Sequence, residues 1–435
     1  VSAGQRGQDT SIALLERLLL VNFTSPAGLT RAQLEELSGL SRTVVAGVVA
    51  ALVERGELVE MRASPAPGVR GRPPARYQRP ALLAPVLLIR MAKGTATSAS
   101  LVSVDGTSGE TITCAPWCQD WEDWSRSVAD AAKRLSGKTQ FPPRAAVLSM
   151  PFPVAEGHGA PPLYAVPQQV LAMTGKRMPP HPPWLDRDPR TRLSYLLGCP
   201  VLPVNYANLA ALGEARLGAG RGYRAVVHVS VVNGVGAGFV LEGRLFTGAH
   251  GFAGELAHVQ ITPDGYPCIC GNRGCLGTEP SVLPQLGIVN GTVRAPTMNP
   301  GQFAPATAWQ RVSLPDYLTG LGQLVGHALA PLITAVDPDC LVVDAGLGES
   351  VENFIAGLTL ELKRRCPPPL TEWLTVIPGA LPEAERSGAL ALADAHLLTI
   401  DLWGALEFTN KQRKTPRPFQ CPRLLRYLRE IHPKK

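Results

Sequence analysis

The sequence predicts an α/β protein headed by a small winged helix-turn-helix unit, and three observations carry that expectation. From Leu82 onward, apolar runs of strand length alternate with segments of helical period. The stretch "LTRAQLEELSGLSRTVVAGVVAALVERGELVE" places two short helical patterns on either side of a glycine. A hydrophobic fraction of 45% and a charged fraction of 18% are ordinary for a globular chain. At 435 residues there is room for two or three domains.

In chain order, "SIALLERLLLV" has helix-like apolar spacing. Glu16 and Arg17 interrupt it, so it lacks the uncharged core of a signal peptide. Thr30 is placed to cap a helix over Arg31–Ser38, with Gly39 just past its end. Ser41 caps the next helix, whose Val44, Val45, Val48, Val49 and Leu52 form an apolar stripe. Arg55-Gly56 ends that helix, and "ELVEMRA" begins the strand of a wing. Taken alone, the two helices also fit an ordinary helical hairpin. "SPAPGVRGRPPARYQRP" is too rich in Pro and Gly for regular structure and reads as wing tip and linker. Its "RGRP", Arg70 to Pro73, matches the core of an AT-hook, in which Arg70 and Arg72 enter a narrow A·T minor groove. The other reading is a plain linker.

Strands are expected in "APVLLIRM", "SASLVSVDG", "RAAVLSMP", "PVLPVNYA", "AVVHVSVVNGVGAGFVLEGRLF" and "DCLVVDAG", and helices in "WSRSVADAAKRLSG" and "LTGLGQLVGHALAPLITAV". The length of this region predicts two lobes. Residues 282–310 show no clear pattern. The domains are therefore set at 1–63 for the winged helix-turn-helix, 64–81 for wing tip and linker, 82–400 for an effector domain, and 401–435 for a basic tail. That tail holds nine Lys/Arg against three Asp/Glu, which is most of the net charge of +7. A solvated appendage and a nucleic-acid contact are its two readings. No run of apolar residues reaches the roughly 18 of a membrane span, and a cytoplasmic location without membrane contact is expected.

The densest chemistry lies in "HVQITPDGYPCICGNRGCLGTEPS". His258, Cys268, Cys270 and Cys275 have the composition of a four-ligand structural zinc site, in a compartment where thiols stay reduced. Incidental thiols in a loop are the alternative. Cys114, Cys118 and the remaining cysteines have no evident partner ligands.

"GAHGFAGELAHVQITPDGYPCICGNRGCL" resembles the signature of the ROK family of sugar kinases and repressors. "VVNGVGAGFVLEGRLFTGAHG" and "CPVLPVNYANLAALGEARLG" are similar to the family's segments as well, and the likeness runs from about Leu82 to Leu397. The N-terminal helices followed by "GRP" resemble the winged helix-turn-helix of the family's transcriptional repressors. The resemblance implies a two-lobed, actin-like fold, sugar in the cleft between lobes, and zinc bracing the sugar site. It places Asn205, Glu255 and His258 at sugar hydroxyls, on a floor that includes the hairpin glycines Gly234, Gly236 and Gly238.

Three departures set this chain apart. The family's kinases carry an Asp-x-Gly-x-Thr-like phosphate loop where this chain has "IRMAKGTATSAS". The family's Asn-Asp pair, whose Asp is the general base, stands here as Asn205-Tyr206. A phenol of ordinary pKa near 10 is a poor base at neutral pH. Tyr206 is left either stacking on a sugar or plugging the pocket. Gly277 follows "GCL" where the family has a glutamate; Glu279 lies two residues on.

The expected protein is a sugar-responsive repressor of carbohydrate metabolism genes, not an enzyme, with zinc as cofactor. Its partners are operator DNA, a sugar or sugar phosphate, and further copies of itself as a dimer or tetramer. Arg42 and Thr43 would reach base edges from the start of the recognition helix, with Ser41 at phosphate. An ATP-dependent hexose kinase and a regulator that answers only to a protein partner are the rivals.

Overall fold

The computed structural model describes residues 28–61, 74–92, 96–139, 141–154, 184, 188–231, 234–278, 288–289, 292–296 and 309–411. The chain divides into two compact units, residues 1–84 with 394–435, and residues 85–393.

The first unit is a winged-helix arrangement. Helix α1 (Arg31–Ser38) begins at Thr30, whose hydroxyl accepts from the Gln33 amide while the Gln33 side chain accepts from the Thr30 amide. It ends at Gly39 in the left-handed conformation, as the sequence predicts. Helix α2 (Arg42–Glu54) follows Ser41 in the N-cap position, but the Ser41 side chain makes no capping bond. Leu34, Val45, Val49, Leu52 and Leu58 form the small core. Strands β1 (Leu29–Thr30), β2 (Val59–Met61) and β3 (Arg76–Gln78) form one antiparallel sheet with β3 in the centre. β3 thus lies inside the segment read as linker. Tyr77 packs in the small core, Gln78 is buried beside it, and the Arg31 guanidinium sits 5.2 Å over the Tyr77 ring. Burial of a Tyr-Gln pair outweighs the surrounding prolines. Arg70 and Arg72 lie outside the described residues.

The second unit holds two five-stranded sheets. In the first, β4 (Val86–Met91), β5 (Thr97–Val102), β6 (Ser108–Cys114), β7 (Ala145–Met150) and β8 (Val201–Asn205) take the order β6-β5-β4-β7-β8. Strands β4, β7 and β8 run parallel. One face packs on α3 (Trp121–Ser136) around the fully buried Trp124. In the second sheet, β9 (Ala225–Ser230), β10 (Gly236–Leu241), β11 (Arg244–Phe246), β15 (Cys340–Val343) and β16 (Thr375–Pro378) take the order β11-β10-β9-β15-β16. Here β9, β15 and β16 run parallel. Short strands β12 (Ile288–Val289), β13 (Thr292–Pro296) and β14 (Trp309–Ser313) form a third sheet within and beside the stretch that showed no pattern.

Helix α4 (Arg190–Leu197) precedes β8, and α5 (Tyr206–Leu217) follows it without a break. The apolar run "PVLPVNYA" therefore changes from strand to helix at Asn205, whose side chain accepts from the Ala207 amide at 2.8 Å. Helix α5 serves both sheets. Leu209 packs with the first, Ala211 and Ala215 with the second. Gly238 allows that approach, since a Cβ there would stand 2.4 Å from the Ala211 Cβ. Gly236 and Gly238, expected in a binding floor, lie where α5 packs against β10.

Helices α6 (Leu314–Val336) and α7 (Val351–Arg365) cover the other face of the second sheet. By length and composition α6 could cross a membrane, contrary to the expectation that no segment would. Leu318, Leu321, Val325, Leu329 and Ile333 are nevertheless buried in the core it forms with α7. Helix α8 (Ala384–Lys411) is continuous across residue 401, where the basic tail was expected to begin. Residues 412–435 lie outside the described residues.

Candidate functional site

Parallel strands in both sheets carry their carboxyl ends to the elements that begin at Tyr206, Asp344 and Ala384, and the crevice outside such ends is where open α/β sheets bind ligands. Asn205 ends β8 and is buried. Its amide group donates to the Phe152 carbonyl at 3.1 Å and to Glu255 Oε1 at 3.3 Å. The other Glu255 oxygen lies 4.0 Å from His258 Nε2. His258 Nδ1, on the opposite edge of the ring, is 3.3 Å from Cys268 Sγ. One continuous series of contacts thus joins the end of β8, through Glu255, to the cysteines. The structure brings Asn205, Glu255 and His258 together as the sequence reading requires.

Tyr206, the first residue of α5, is half-buried. A Cβ at Gly236 would stand 3.7 Å from its hydroxyl oxygen, so the ring points across toward the second sheet. Burial, then the charges of Glu255, Asp344 and Glu385, push its pKa well above the ordinary value. It stays protonated at neutral pH and can donate a hydrogen bond, but it cannot serve as a general base.

The cysteine knuckle folds around two backbone positions that favour glycine. Gly271 has φ 92° and Gly274 φ 66°. A Cβ on Gly274 would fall 1.5 Å from the Thr262 carbonyl oxygen, so no side chain fits there. The Cys268 amide donates to the Asn272 carbonyl at 2.7 Å, closing the turn that returns Cys270 and Cys275 to His258. The four ligand atoms of His258, Cys268, Cys270 and Cys275 lie within 4.8 Å of one another. Cys270 and Cys275 Sγ are 3.7 Å apart. A tetrahedron with Zn–S near 2.3 Å would set two sulfurs about 3.8 Å apart, so the donor set fits such an ion. Without a cation, burial pushes the Cys268 and Cys275 thiols up, and the neighbouring sulfurs add to it at Cys275. The cluster can hold a metal ion.

Ser41, Arg42 and Thr43 are all exposed at the start of α2, and its first turn carries no acidic residue. That helix end is open to an anionic partner.

Several site residues escaped the sequence reading. Arg90, at the end of β4, places Nε 2.9 Å from Glu385 Oε2 in the first turn of α8. Asp344, just past β15, accepts from the Ser230 hydroxyl at 2.9 Å and from the Gly346 amide at 2.9 Å. Glu214 on α5 is fully buried and accepts from the amides of Ala219, Ala380 and Leu381 at 2.8, 3.2 and 2.8 Å. Each had one signal available, a charge set within an otherwise apolar strand or helix face.

Two sheets with parallel strand ends, a helix shared between them and a Cys/His knuckle joined to the end of β8 through Glu255 are the features of a two-lobed, actin-like domain. The ROK family model matches residues 174–393, and the chain belongs to the ROK family. A xylose repressor of Bacillus spizizenii is 24% identical over 51% of this chain and 57% of its own length. A glucokinase of Halalkalibacterium halodurans is 28% identical over 40% of this chain and 56% of its own length. The chain thus spans little more than half the length of these curated relatives. A solved ROK family transcriptional regulator, a homologue of the E. coli Mlc protein, superposes with TM-score 0.63 at 20% identity. It covers 91% of this chain and 100% of its own, a likeness of fold that extends beyond the matched family segment.

Proposed function

We propose that this chain is a sugar-responsive transcriptional repressor with zinc at the cysteine knuckle and no sugar kinase activity. The observation that carries the reading is a winged-helix unit with exposed Arg42 and Thr43, on the same chain as a ROK domain with Tyr206 where the resemblance to the family's kinases expects a carboxylate. Similarity to a xylose repressor supports it. Operator DNA would take α2 in the major groove, with Arg42 and Thr43 at base edges and Ser41 at a phosphate. Arg70 and Arg72 would follow the adjacent minor groove. A homodimer would match two half-sites by its two-fold symmetry. Sugar would bind at Asn205, Tyr206, Glu255 and His258, and closure of the cleft would alter the DNA-binding geometry. Reduced, clustered cysteines fit a cytoplasmic location.

Genome-wide mapping of bound DNA tests the reading, since it yields the operator and the genes beside it. On that operator, Arg42→Ala is expected to relax base preference and to weaken binding by about 1–3 kcal/mol. Fluorescence anisotropy on matched and single-base-altered duplexes measures both. Unchanged preference removes Arg42 from the base-reading role.

Glucokinases are also among the similar proteins, so the absence of phosphorylation needs its own test. A coupled assay with ATP and a panel of hexoses and pentoses is expected to show turnover far below the usual enzyme range of about 1 to 1,000 per second. Tyr206→Asp alone should not restore it, because "IRMAKGTATSAS" still stands where the family's kinases carry their phosphate loop. Ordinary turnover by the unaltered chain makes it a kinase.

A further inference from the structure

Helix α5 approaches the second sheet closely at Gly238 of β10. A Cβ there would stand 2.9 Å from the Ala207 carbonyl oxygen and 3.2 Å from the Asn208 Cα, so the first turn of α5 lies directly over this strand. Asn208, Ala211 and Ala215 recur at helical spacing, and the two alanines pack on the second sheet. That spacing puts the Asn208 side chain on the same face, and it is buried.

The cross-strand partner of Gly238 is His228 on β9, and its parallel partner on β15 is Val342. Paired residues project to one side of a sheet, so His228 rises into the layer of Val226, Val240 and Val342 that α5 covers. The imidazole and the Asn208 amide are thus neighbours beneath one helical turn. Each carries a buried polar atom with no hydrogen-bond partner, Oδ1 of Asn208 and Nδ1 of His228. The carboxylates nearest the ring are engaged elsewhere. Asp344 accepts from Ser230 and Gly346, and Glu214 accepts from Ala219, Ala380 and Leu381. Complete burial favours the neutral ring against the pull of those two charges.

Leaving one buried polar atom unbonded lowers the folding equilibrium by a factor of about 5 to 150. Two such atoms side by side call for a partner that serves both. A water molecule donates to the amide oxygen, and it donates to or accepts from Nδ1 in either tautomer of the ring. The apolar walls of Val226, Val342 and Ala211 disfavour an ion. We propose that one internal water bridges Asn208 Oδ1 and His228 Nδ1, and that this bridge seats the first turn of α5 on the second sheet. Helix α5 starts at Tyr206, directly after Asn205, so the bridge fixes the direction in which the chain leaves β8. The inference is independent of the zinc, sugar and DNA readings.

A crystal structure of the full chain at about 1.8 Å or better is expected to show a single water within hydrogen-bond distance of both atoms. Three variants supply a second measurement, by urea unfolding. Asn208→Leu and His228→Phe each remove one polar atom and leave the other unbonded, so each should lower the folding equilibrium by a factor of about 5 to 150. The double variant removes both atoms and leaves a dry, apolar joint, so it should be no less stable than either single variant. Side chains that share no water give losses that add. Additive losses, a direct bond between the two side chains or a dry joint in the parent crystal overturn the inference. A variant that does not fold leaves the crystallographic result to decide it.

Discussion

Cys275→Ser is expected to yield a chain that purifies without its metal and unfolds at markedly lower temperature than the parent. Cys275 is fully buried, and its sulfur lies among Cys268, Cys270 and His258. Serine there replaces a thiolate by a hydroxyl that binds a soft or borderline cation poorly. Structural zinc sites contribute about 10–16 kcal/mol in small isolated peptides, where the whole fold depends on them. In this chain the knuckle is one part of a larger unit, and the loss falls first on residues 258–276. Because His258 also lies 4.0 Å from Glu255, the damage should reach the cleft and abolish the sugar response even where some chain remains folded. Elemental analysis of protein purified without chelator, with melting curves before and after chelation, measures the effect. One zinc per parent chain and none in the variant is the expected pair of results. Acidification should release the metal, since the thiolates and His258 must be deprotonated to bind it. A parent chain without zinc, or with a melting curve indifferent to chelator, removes the metal from the structure.

Glu214→Ala should be the most destabilising single change outside the knuckle, by about 3–5 kcal/mol. This carboxylate is fully buried and accepts three backbone amides, one after α5 and two between β16 and α8. Alanine leaves three donors without their acceptor, each at a cost of about 1–3 kcal/mol where water cannot replace it. Some rearrangement or water entry will offset part of that sum. Glu214→Gln keeps the shape and one acceptor oxygen but turns an N–H toward an N–H, so a smaller loss is expected. Urea unfolding monitored by tryptophan fluorescence reads both. A change below about 1 kcal/mol for Glu214→Ala would mean that the three amides find other acceptors.

The helix-turn-helix was legible because its determinants are local. Thr30, Gln33, Gly39 and the apolar stripe of α2 each act within a few residues, and the structure places them as their chemistry requires. The four residues of the knuckle were legible for the same reason, since they fall within eighteen residues of one another. The family likeness located Asn205, Glu255 and His258, which lie far apart in the sequence. Strand β3 was missed because its surroundings are rich in proline, and a local pattern does not reveal that Tyr77 and Gln78 are buried.

The sequence by itself determined the alternation of strands and helices, the Gly39-centred helix pair, the grouping of His258 with three cysteines and the tyrosine at position 206. Those features depend on residue type and short spacing, which are local properties of the chain. Only the tertiary structure decided where Asn205 turns strand into helix, that Gly238 serves packing, and that Glu214 pins two distant loops. It also joined Arg90 to Glu385, residues nearly 300 positions apart, at the same strand ends as Asp344. Pairings of that kind follow from how the parallel strands are ordered, and the order is set by packing energy summed over both sheets. No single stretch of sequence carries it.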